Sequence, residues 1–274
     1  MIIKTLVENT AISDDFEVEH GLSLYIQTKM HKMLFDLGAS TLFIRNAERM
    51  GVDLSDIDLV VISHGHYDHG GGLKAFLNHN TKAKVLLNKR AFQKHYAVHN
   101  NGQKANIGLD QDVMTNNRLV FVEDDVVIDK ELELFSNVKG EELISKGNNN
   151  LMMELSTGLV KDDFAHEQNL IIKEEGKTLL VAGCAHKGIV NILEHLRDHK
   201  NLALSHVIGG FHLYSRSSGQ SEDPVLGRQI GEYLKTTGLT CYTCHCTGTE
   251  SYRKLKEIMG EQIHYLAAGS QLTI

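Results

Sequence analysis

The chain has 274 residues, of which 23% are charged and 42% are hydrophobic. This composition is that of an ordinary globular protein, and it excludes a disordered tail or a collagen-like fibre. The formal net charge of −7 leaves no broad basic face for a phosphate polymer, so nucleic acid is not an expected partner. A layered α/β protein of this length often folds as one unit, and we predict a single domain over residues 1–274.

The sequence also bears on cellular location. A charge follows three apolar residues at the start, Met1-Ile2-Ile3-Lys4, so we do not expect the apolar stretch of a signal peptide there. No apolar run reaches membrane-spanning length. Three of the four cysteines crowd into residues 241–246, a spacing that does not staple a fold of this size. We expect a cytoplasmic protein without a membrane partner, and the sequence is compatible with a homo-oligomer.

Short apolar runs alternate with turns in the first third of the chain. They predict strands at 2–7, 22–27, 32–36, 59–62 and 84–87. A helix from Ser40 to Met50 and a short helix at 73–77 complete this part.

The remaining chain divides into an irregular stretch and a regular one. Residues 90–150 are polar and rich in asparagine, with strand-like pieces at 119–122 and 126–128, and we predict an insertion or lid over the site. Beyond it a hairpin precedes alternating elements, with strands at 169–173, 178–181, 204–208, 240–243 and 262–266 and helices at 189–197, 225–234 and 250–259. This order predicts an α/β fold of two packed sheets with helices outside.

Histidine is unusually frequent, with 16 residues in the chain. Four metal-binding residue types, His64, His66, Asp68 and His69, directly follow the apolar strand at 59–62. Where a strand runs out into a loop, residues two apart can point the same way, so His64 and His66 can share one ion while Asp68 and His69 turn toward a second. The pattern therefore predicts two adjacent metal ions.

This His-x-His-x-Asp-His motif resembles the signature of the metallo-β-lactamase superfamily, in which it follows a strand and an earlier Asp-x-Gly such as Asp36-Leu37-Gly38. Within that family the chain resembles the branch of 7,8-dihydropterin-6-methyl-4-(β-D-ribofuranosyl)aminobenzene 5′-phosphate synthases. The segments that carry this narrower resemblance are 8–10, 19–23, 167–170, 183–191, 209–213 and 245–248. The resemblance runs from the N-terminus to about residue 250 and is weakest over 90–150.

The resemblance implies a four-layer αββα sandwich with two divalent metal ions at one edge of the paired sheets. His64 and His66 match the ligands of the first metal, and Asp68 and His69 match those of the second. Zinc is favoured, with manganese and iron as alternatives, because histidine-rich ligation suits all three.

Two further ligand positions stay open at this point. His186, after the strand at 178–181, is the choice for another first-metal ligand, with His166 as its competitor. His245, after the strand at 240–243, resembles the last second-metal histidine, and His212 is its competitor or a substrate contact.

Cys184 departs from the family pattern. Most of the superfamily has an Asp here that bridges both metals, whereas Gly183 is followed by a cysteine in this chain. A thiolate is softer than a carboxylate and favours zinc or iron over magnesium or calcium. Alternatively Cys184 ligates nothing, and in either case the lost carboxylate weakens the expected second metal.

Substrate signals are fewer. Thr247 and Gly248 precede the predicted helix at 250–259, so its free N–H groups could receive a phosphate or carboxylate, although an ordinary N-cap explains the pattern equally well. His20 follows Glu19 in a segment that the resemblance places near the site, and a surface pair is the alternative.

Cys241-x-x-Cys244-His245 matches a c-type haem attachment pattern, but the missing signal peptide argues against it. We expect these cysteines to pack as small hydrophobic residues. The remaining histidines receive no role; they are His31, His79, His95, His99, His195, His199, His206 and His264.

These observations predict a metallo-hydrolase. Metal-activated water attacks a small, anionic, phosphorylated and pterin-related substrate, and Asp68 is the catalytic residue that orients the water and collects its proton. The alternatives are the pterin-forming synthase of the branch name, a di-iron redox protein on the same fold, and a non-enzymatic module that holds a metal.

Overall fold

A computed structural model of the chain describes residues 1–99, 101–216 and 218–274. The strands in this part are β1 (Ile2–Val7), β2 (Ser23–Gln27), β3 (Lys32–Phe35), β4 (Leu59–Ile62), β5 (Lys84–Asn88), β6 (His95–Val98), β7 (Lys104–Asn106), β8 (Leu119–Val122), β9 (Val126–Val127), β10 (Leu132–Ser136), β11 (Leu151–Leu155), β12 (Gly158–Lys161), β13 (Gln168–Glu174), β14 (Lys177–Val181), β15 (His206–Gly209), β16 (Tyr214–Ser215), β17 (Gln220–Ser221), β18 (Thr240–Thr243), β19 (Ile263–Tyr265) and β20 (Gln271–Thr273). The helices are α1 (Leu42–Arg49), α2 (Tyr67–Gly70), α3 (Leu73–His79), α4 (Ile189–His195), α5 (Pro224–Thr237) and α6 (Thr249–Met259).

Two large sheets form the centre of the molecule. The first has the order β20-β1-β2-β3-β4-β5-β8, and the second has the order β19-β18-β15-β14-β13-β10-β9. Strands β3, β4, β5 and β8 run parallel in the first sheet, and β14, β15, β18 and β19 run parallel in the second. The helices lie on the outer faces, so the predicted four-layer αββα sandwich is confirmed.

The strands form these layers because they are apolar on both faces. Along β2, Leu24 and Ile26 point into the core between the sheets, while Tyr25 packs on the helix side with Phe43 of α1. The same alternation places Leu180 of β14 in the outer core of the second sheet and its neighbours in the central core. Because successive side chains point to opposite faces of a strand, a strand that is apolar throughout buries both faces of its sheet.

The segment predicted as one insertion over 90–150 is divided in the structure. Its strands β8, β9 and β10 belong to the two large sheets. A separate four-stranded sheet, β12-β11-β6-β7, combines β6 and β7 with β11 and β12 and forms a wall of the cavity described below. We call it the cover sheet. The predicted boundary therefore differs from the observed one, because antiparallel pairing of β6 with β11 joins segments about fifty residues apart.

Several observed strands lack a sequence prediction. β20 pairs with β1 at an edge, and β11 and β12 are largely half-exposed. Short, partly exposed strands carry too little apolar alternation to be recognised from sequence. Within the described residues no helix combines the length and apolar character needed to cross a membrane.

Candidate metal centre

The residues that define the site all follow the carboxyl ends of parallel strands. His64, His66, Asp68 and His69 follow β4, Cys184 and His186 follow β14, His212 follows β15, and His245 and Cys246 follow β18. These strands end at the same edge of the sandwich, and functional sites of α/β sheets form at the carboxyl ends of their parallel strands. Residues separated by almost 200 positions meet there for this reason.

His64, His66 and His186 form the first cluster, which we call the trihistidine group. One ring nitrogen from each lies within 4.8 Å of the others, and all three side chains are buried. The Nε2 atom of each ring is buried and has no hydrogen-bond partner among the described residues. Buried nitrogen atoms without a partner are costly, so their convergence fits a divalent cation.

The protonation state of the trihistidine group suits this role. Burial lowers the pKa of His64, His66 and His186 well below the usual value, and neighbouring imidazoles lower it further. The three rings are therefore neutral near pH 7, which is the form that ligates metals.

A hydrogen-bond chain fixes the tautomer of His64. Its Nδ1 lies 2.8 Å from Ser63 Oγ, and that hydroxyl donates to Asp36 Oδ2 at 2.7 Å. Because the hydroxyl hydrogen is used on Asp36, its oxygen accepts from Nδ1–H of His64. The lone pair of His64 then lies on Nε2, which faces the group. Asp36 belongs to the Asp-x-Gly motif, whose role could not be assigned from the sequence.

His186 is held from two sides. Asn148 Oδ1 lies 2.9 Å from its Nδ1, and Asn148 Nδ2 donates to its carbonyl oxygen at 2.8 Å. Glu167 accepts its backbone N–H at 2.6 Å. Since an amide oxygen only accepts, Nδ1 of His186 carries the hydrogen and Nε2 is free for a cation. Burial raises the pKa of Glu167 to about 7, although two backbone N–H groups oppose this shift.

His245 is held in the same manner by residues from the opposite end of the chain. Asn9 Oδ1 lies 3.0 Å from its Nδ1, and Glu8 accepts its backbone N–H at 2.6 Å. One asparagine and one glutamate therefore bracket each of the two histidines. Glu8 and Asn9 were noticed only as part of the family resemblance, and Asn148 lies in an asparagine run that gave no signal.

The second cluster, which we call the mixed group, contains His69, His245, Cys184 and Cys246. His69 Nε2 lies 3.1 Å from Cys184 Sγ and 3.2 Å from His245 Nε2. One donor atom each from Cys184, His245 and Cys246 lie within 4.8 Å of one another. Burial opposes protonation of His69, but the carboxylate of Asp36, 2.6 Å from Nδ1, and that of Asp68 outweigh it and raise the pKa of His69 to about 9.

Asp68 lies between the mixed group and the cavity. Its Oδ2 is 3.4 Å from His245 Nε2 and 3.9 Å from His69 Nε2. His20 Nε2 lies 3.2 Å from the same oxygen, so the structure brings His20 to the site. Burial opposes ionisation of Asp68, but these three imidazoles hold the pKa of its carboxyl well below the usual range.

His166 is close to the trihistidine group but has no free nitrogen. Its Nδ1 accepts the Gly65 N–H at 2.9 Å, and its Nε2 lies 3.3 Å from Asp162 Oδ2. His186 rather than His166 therefore offers a lone pair. The same Asp162 oxygen lies 2.8 Å from His95 Nδ1 and 4.0 Å from His66 Nε2, so this buried carboxylate is surrounded by three imidazoles. Sequence analysis missed Asp162 and gave His95 no role.

His212 also lines the cavity. Its ring centroid lies 4.2 Å from that of His186, and its backbone has a φ of +50°. A donor atom of His212 lies within 4.8 Å of those of Cys184 and His186. His212 is thus adjacent to both clusters, whereas His245 is the histidine whose nitrogen contacts His69.

The predicted anion site at Thr247 and Gly248 gains no support from the geometry. The buried Thr247 hydroxyl accepts the Phe211 N–H at 2.8 Å and also bonds to Thr243. Gly248 N–H donates to the His245 carbonyl. These groups serve to hold the loop that carries His245.

A cavity of about 380 Å³ opens over both clusters. Ala97 and Ala105 of the cover sheet form one wall, and Tyr67 and Arg216 form part of another. The exposed Arg216 guanidinium donates to the Tyr67 hydroxyl at 2.7 Å. A small molecule can therefore reach Asp68 through this cavity, and the cation of Arg216 lies at its rim. Sequence analysis did not find the contact of Arg216 with Tyr67.

The fold and the histidine clusters point to a class of protein, which comparison with known proteins identifies. The family model of the metallo-beta-lactamase superfamily matches residues 17–218, and the chain belongs to this superfamily. The fold of this superfamily is that of metal-dependent hydrolases, and most of its members are enzymes.

Particular relatives narrow the position of the chain within the family. An uncharacterized protein of Methanocaldococcus jannaschii is 31% identical over 262 residues, with 94% of each chain covered. The 7,8-dihydropterin-6-methyl-4-(beta-D-ribofuranosyl)-aminobenzene-5′-phosphate synthase of the same organism is 26% identical, with 97% of this chain and 94% of that protein covered. The crystal structure of Tm1679, described as a metal-dependent hydrolase of the beta-lactamase superfamily, is 31% identical with a TM-score of 0.82 and covers 100% of this chain and 99% of the other.

Proposed function

We propose that this protein is a metal-dependent hydrolase that cleaves a small, phosphorylated substrate. The observation that carries the proposal is the convergence of three buried histidine rings, each with an Nε2 that has no hydrogen-bond partner in the described part of the chain. Two of these rings, His66 and His186, line the open cavity together with Asp68. The trihistidine group would hold one divalent cation, and the mixed group would hold a second. Zinc is favoured, with manganese and iron as alternatives.

The chemistry that a bound dication supplies is a water of lowered pKa and a polarised oxygen on the scissile group. Asp68 is placed to orient that water and to accept its proton, because its carboxylate is ionised and faces the cavity. His20 is 3.2 Å from Asp68 and is partly exposed, so it can relay the proton toward solvent. The residues thus provide a route for the proton without a strong base.

The proposed substrate class follows from charge. Arg216 is a cation on the cavity wall, and its guanidinium can pair with a phosphate oxygen. The relative named a 7,8-dihydropterin-6-methyl-4-(beta-D-ribofuranosyl)-aminobenzene-5′-phosphate synthase matches this chain over nearly its full length. This match supports a phosphorylated and pterin-related substrate. That name also favours a second candidate, the pterin-forming synthase, in which the same cavity condenses two molecules.

Elemental analysis combined with ester hydrolysis tests the proposal. Protein purified without added metal should contain about two equivalents of zinc or manganese and hydrolyse chromogenic phosphomonoesters or phosphodiesters. His66→Ala should abolish turnover, whereas His264→Ala, in β19 outside the cavity, should keep it. A metal-replete protein that cleaves no ester but forms a dihydropterin condensation product would replace the hydrolase by the synthase. Iron with a visible absorption band and no ester cleavage would show that the protein is a redox protein and not a hydrolase.

A further inference from the structure

We propose that the second cation position of this chain is a thiolate site in which Cys184 and Cys246 both bind a thiophilic divalent cation such as zinc. The inference rests on the proposed function, because it concerns the mixed group in the same cavity. It gives Cys246 a role that differs from the packing role expected from the sequence.

The donor atoms lie close enough together to share one cation. Tetrahedral zinc binds nitrogen at about 2.0–2.1 Å and sulfur at about 2.3 Å, which separates neighbouring donor atoms by roughly 3.3–3.8 Å. The observed distances from His69 Nε2 are 3.1 Å to Cys184 Sγ and 3.2 Å to His245 Nε2. The donor atoms of Cys184, His245 and Cys246 all lie within 4.8 Å of one another.

The backbone is shaped around the Cys246 sulfur. A Cβ atom built at Gly210 would overlap Cys246 Sγ, so the missing side chain of Gly210 leaves the space that the thiol fills. Cys246 and Cys184 both line the cavity, and each is 3% exposed. The sulfur atoms are therefore next to the site and within reach of a small ion.

The other two cysteines provide an internal contrast. Cys241 packs in the outer core of the second sheet, and Cys244 packs in the core between the sheets. Neither lines the cavity. Three cysteines within six residues thus occupy three environments, and only Cys246 joins Cys184.

The chemistry explains how the site can work without the bridging carboxylate of the family pattern. When the cation binds, each thiol releases its proton to solvent, and the two thiolates together balance the two positive charges. Sulfur ligands select zinc or cadmium over manganese or magnesium. The two positions of this chain would therefore differ in metal preference, with nitrogen ligands at one and sulfur ligands at the other.

Cobalt titration tests this inference with a readout other than activity. Reduced, metal-free protein is titrated anaerobically with Co²⁺, and the near-ultraviolet sulfur-to-cobalt charge-transfer band is recorded. The band should appear in the natural chain, fall by about half in Cys184→Ser and in Cys246→Ser, and vanish in the double variant, since each thiolate contributes its own transition. Cys241→Ser is the matched control and should keep the full band; Cys244→Ala replaces it if that variant does not fold.

Two results would overturn the inference. Binding of two equivalents of Co²⁺ without a charge-transfer band would show that no sulfur ligates. An unchanged band in Cys246→Ser would show that Cys184 ligates alone. His66→Ala removes only the trihistidine cation and should keep the band. An intact band in the natural, metal-replete chain without hydrolysis of any ester would refute the proposed function and leave the thiolate site standing.

Discussion

The trihistidine group and the mixed group lie side by side, but their donor atoms are in different states. In the trihistidine group no Nε2 has a hydrogen-bond partner within residues 1–99, 101–216 and 218–274. In the mixed group His69 Nε2 is already within hydrogen-bond distance of both Cys184 Sγ and His245 Nε2. One cluster is ready to receive a cation, whereas the other must first give up protons.

This difference shows how neighbouring sites of similar composition acquire different chemistry. Burial keeps the trihistidine rings neutral, while the carboxylates of Asp36 and Asp68 raise the pKa of His69 to about 9. Binding at the first cluster exchanges no protons, but binding at the second competes with them. As pH is lowered, we expect occupancy of the mixed group to fall more steeply than occupancy of the trihistidine group.

The largest expected effect concerns the carboxylate that borders the mixed group. Asp68→Asn should lower turnover by about 10²- to 10⁴-fold, because the amide cannot accept the proton of the attacking water. The trihistidine cation should remain, since Asp68 is not one of its three ligands. Steady-state kinetics with elemental analysis measures both quantities, with the exposed Asp163→Asn as the control. Full activity in Asp68→Asn would remove this residue from the mechanism.

Substitution of Asn148 and of Asn9 tests the trihistidine group and the mixed group separately. Asn148→Ala should weaken binding of one cation by about 10- to 100-fold, because His186 loses the partner that fixes its tautomer. Asn9→Ala should weaken the other cation to a similar extent through His245. Competition with a chromophoric chelator gives both affinities. Asn149→Ala, exposed and adjacent in sequence, should leave both unchanged; equal weakening of both cations in Asn148→Ala would contradict the assignment of separate clusters.

A close backbone approach supports the trihistidine group. A Cβ at Gly183 would lie 2.6 Å from Ser63 Cβ and 3.3 Å from His64 Nδ1. Gly183→Ala should lower the free energy of unfolding by about 1–3 kcal/mol through overpacking. Urea unfolding measures the change. Gly227→Ala, where the added methyl meets no atom within 4 Å, should instead raise it by about 0.4–1 kcal/mol, and a loss as large as that of Gly183→Ala would rule out the steric explanation.

The smallest effect is expected at a histidine outside both clusters. His31 lies 2.6 Å from Asp129 and 3.3 Å from Asp58; burial opposes its protonation, but these carboxylates outweigh it and raise its pKa. Its stabilising contribution is therefore complete below the unfolded pKa of about 6.5 and is lost as pH rises through the folded pKa.

The stability difference between the natural chain and His31→Asn should therefore shrink by up to about 1 kcal/mol between acidic and alkaline pH. Urea midpoints at several pH values measure it. His206→Asn is the opposite control, because burial lowers the pKa of His206 and the corresponding difference should grow with pH. The same slope for both variants would show that the carboxylates around His31 do not control its charge.

Part of the site could be predicted because its residues are close in sequence. Four of them follow the strand at 59–62 directly and therefore must lie close together in space. They are His64, His66, Asp68 and His69. Most strands of both large sheets were predicted on the same local grounds, whereas β10 and β20 were not. Strands β6, β7, β11 and β12 were not, since they are short and gain their stability from pairing with each other.

The sequence by itself predicted two packed sheets with outer helices and the motif that begins the metal centre, because hydrophobic period and residue spacing are local properties of the chain. The superfamily and its four-layer αββα sandwich followed from the resemblance that this motif carries. Only the tertiary structure decided that His186 and not His166 has a free nitrogen, that Asn9 and Asn148 hold the tautomers, and that Cys246 meets Cys184. These features depend on the partners that each histidine or cysteine side chain meets in the fold, and those partners come from segments far away along the chain.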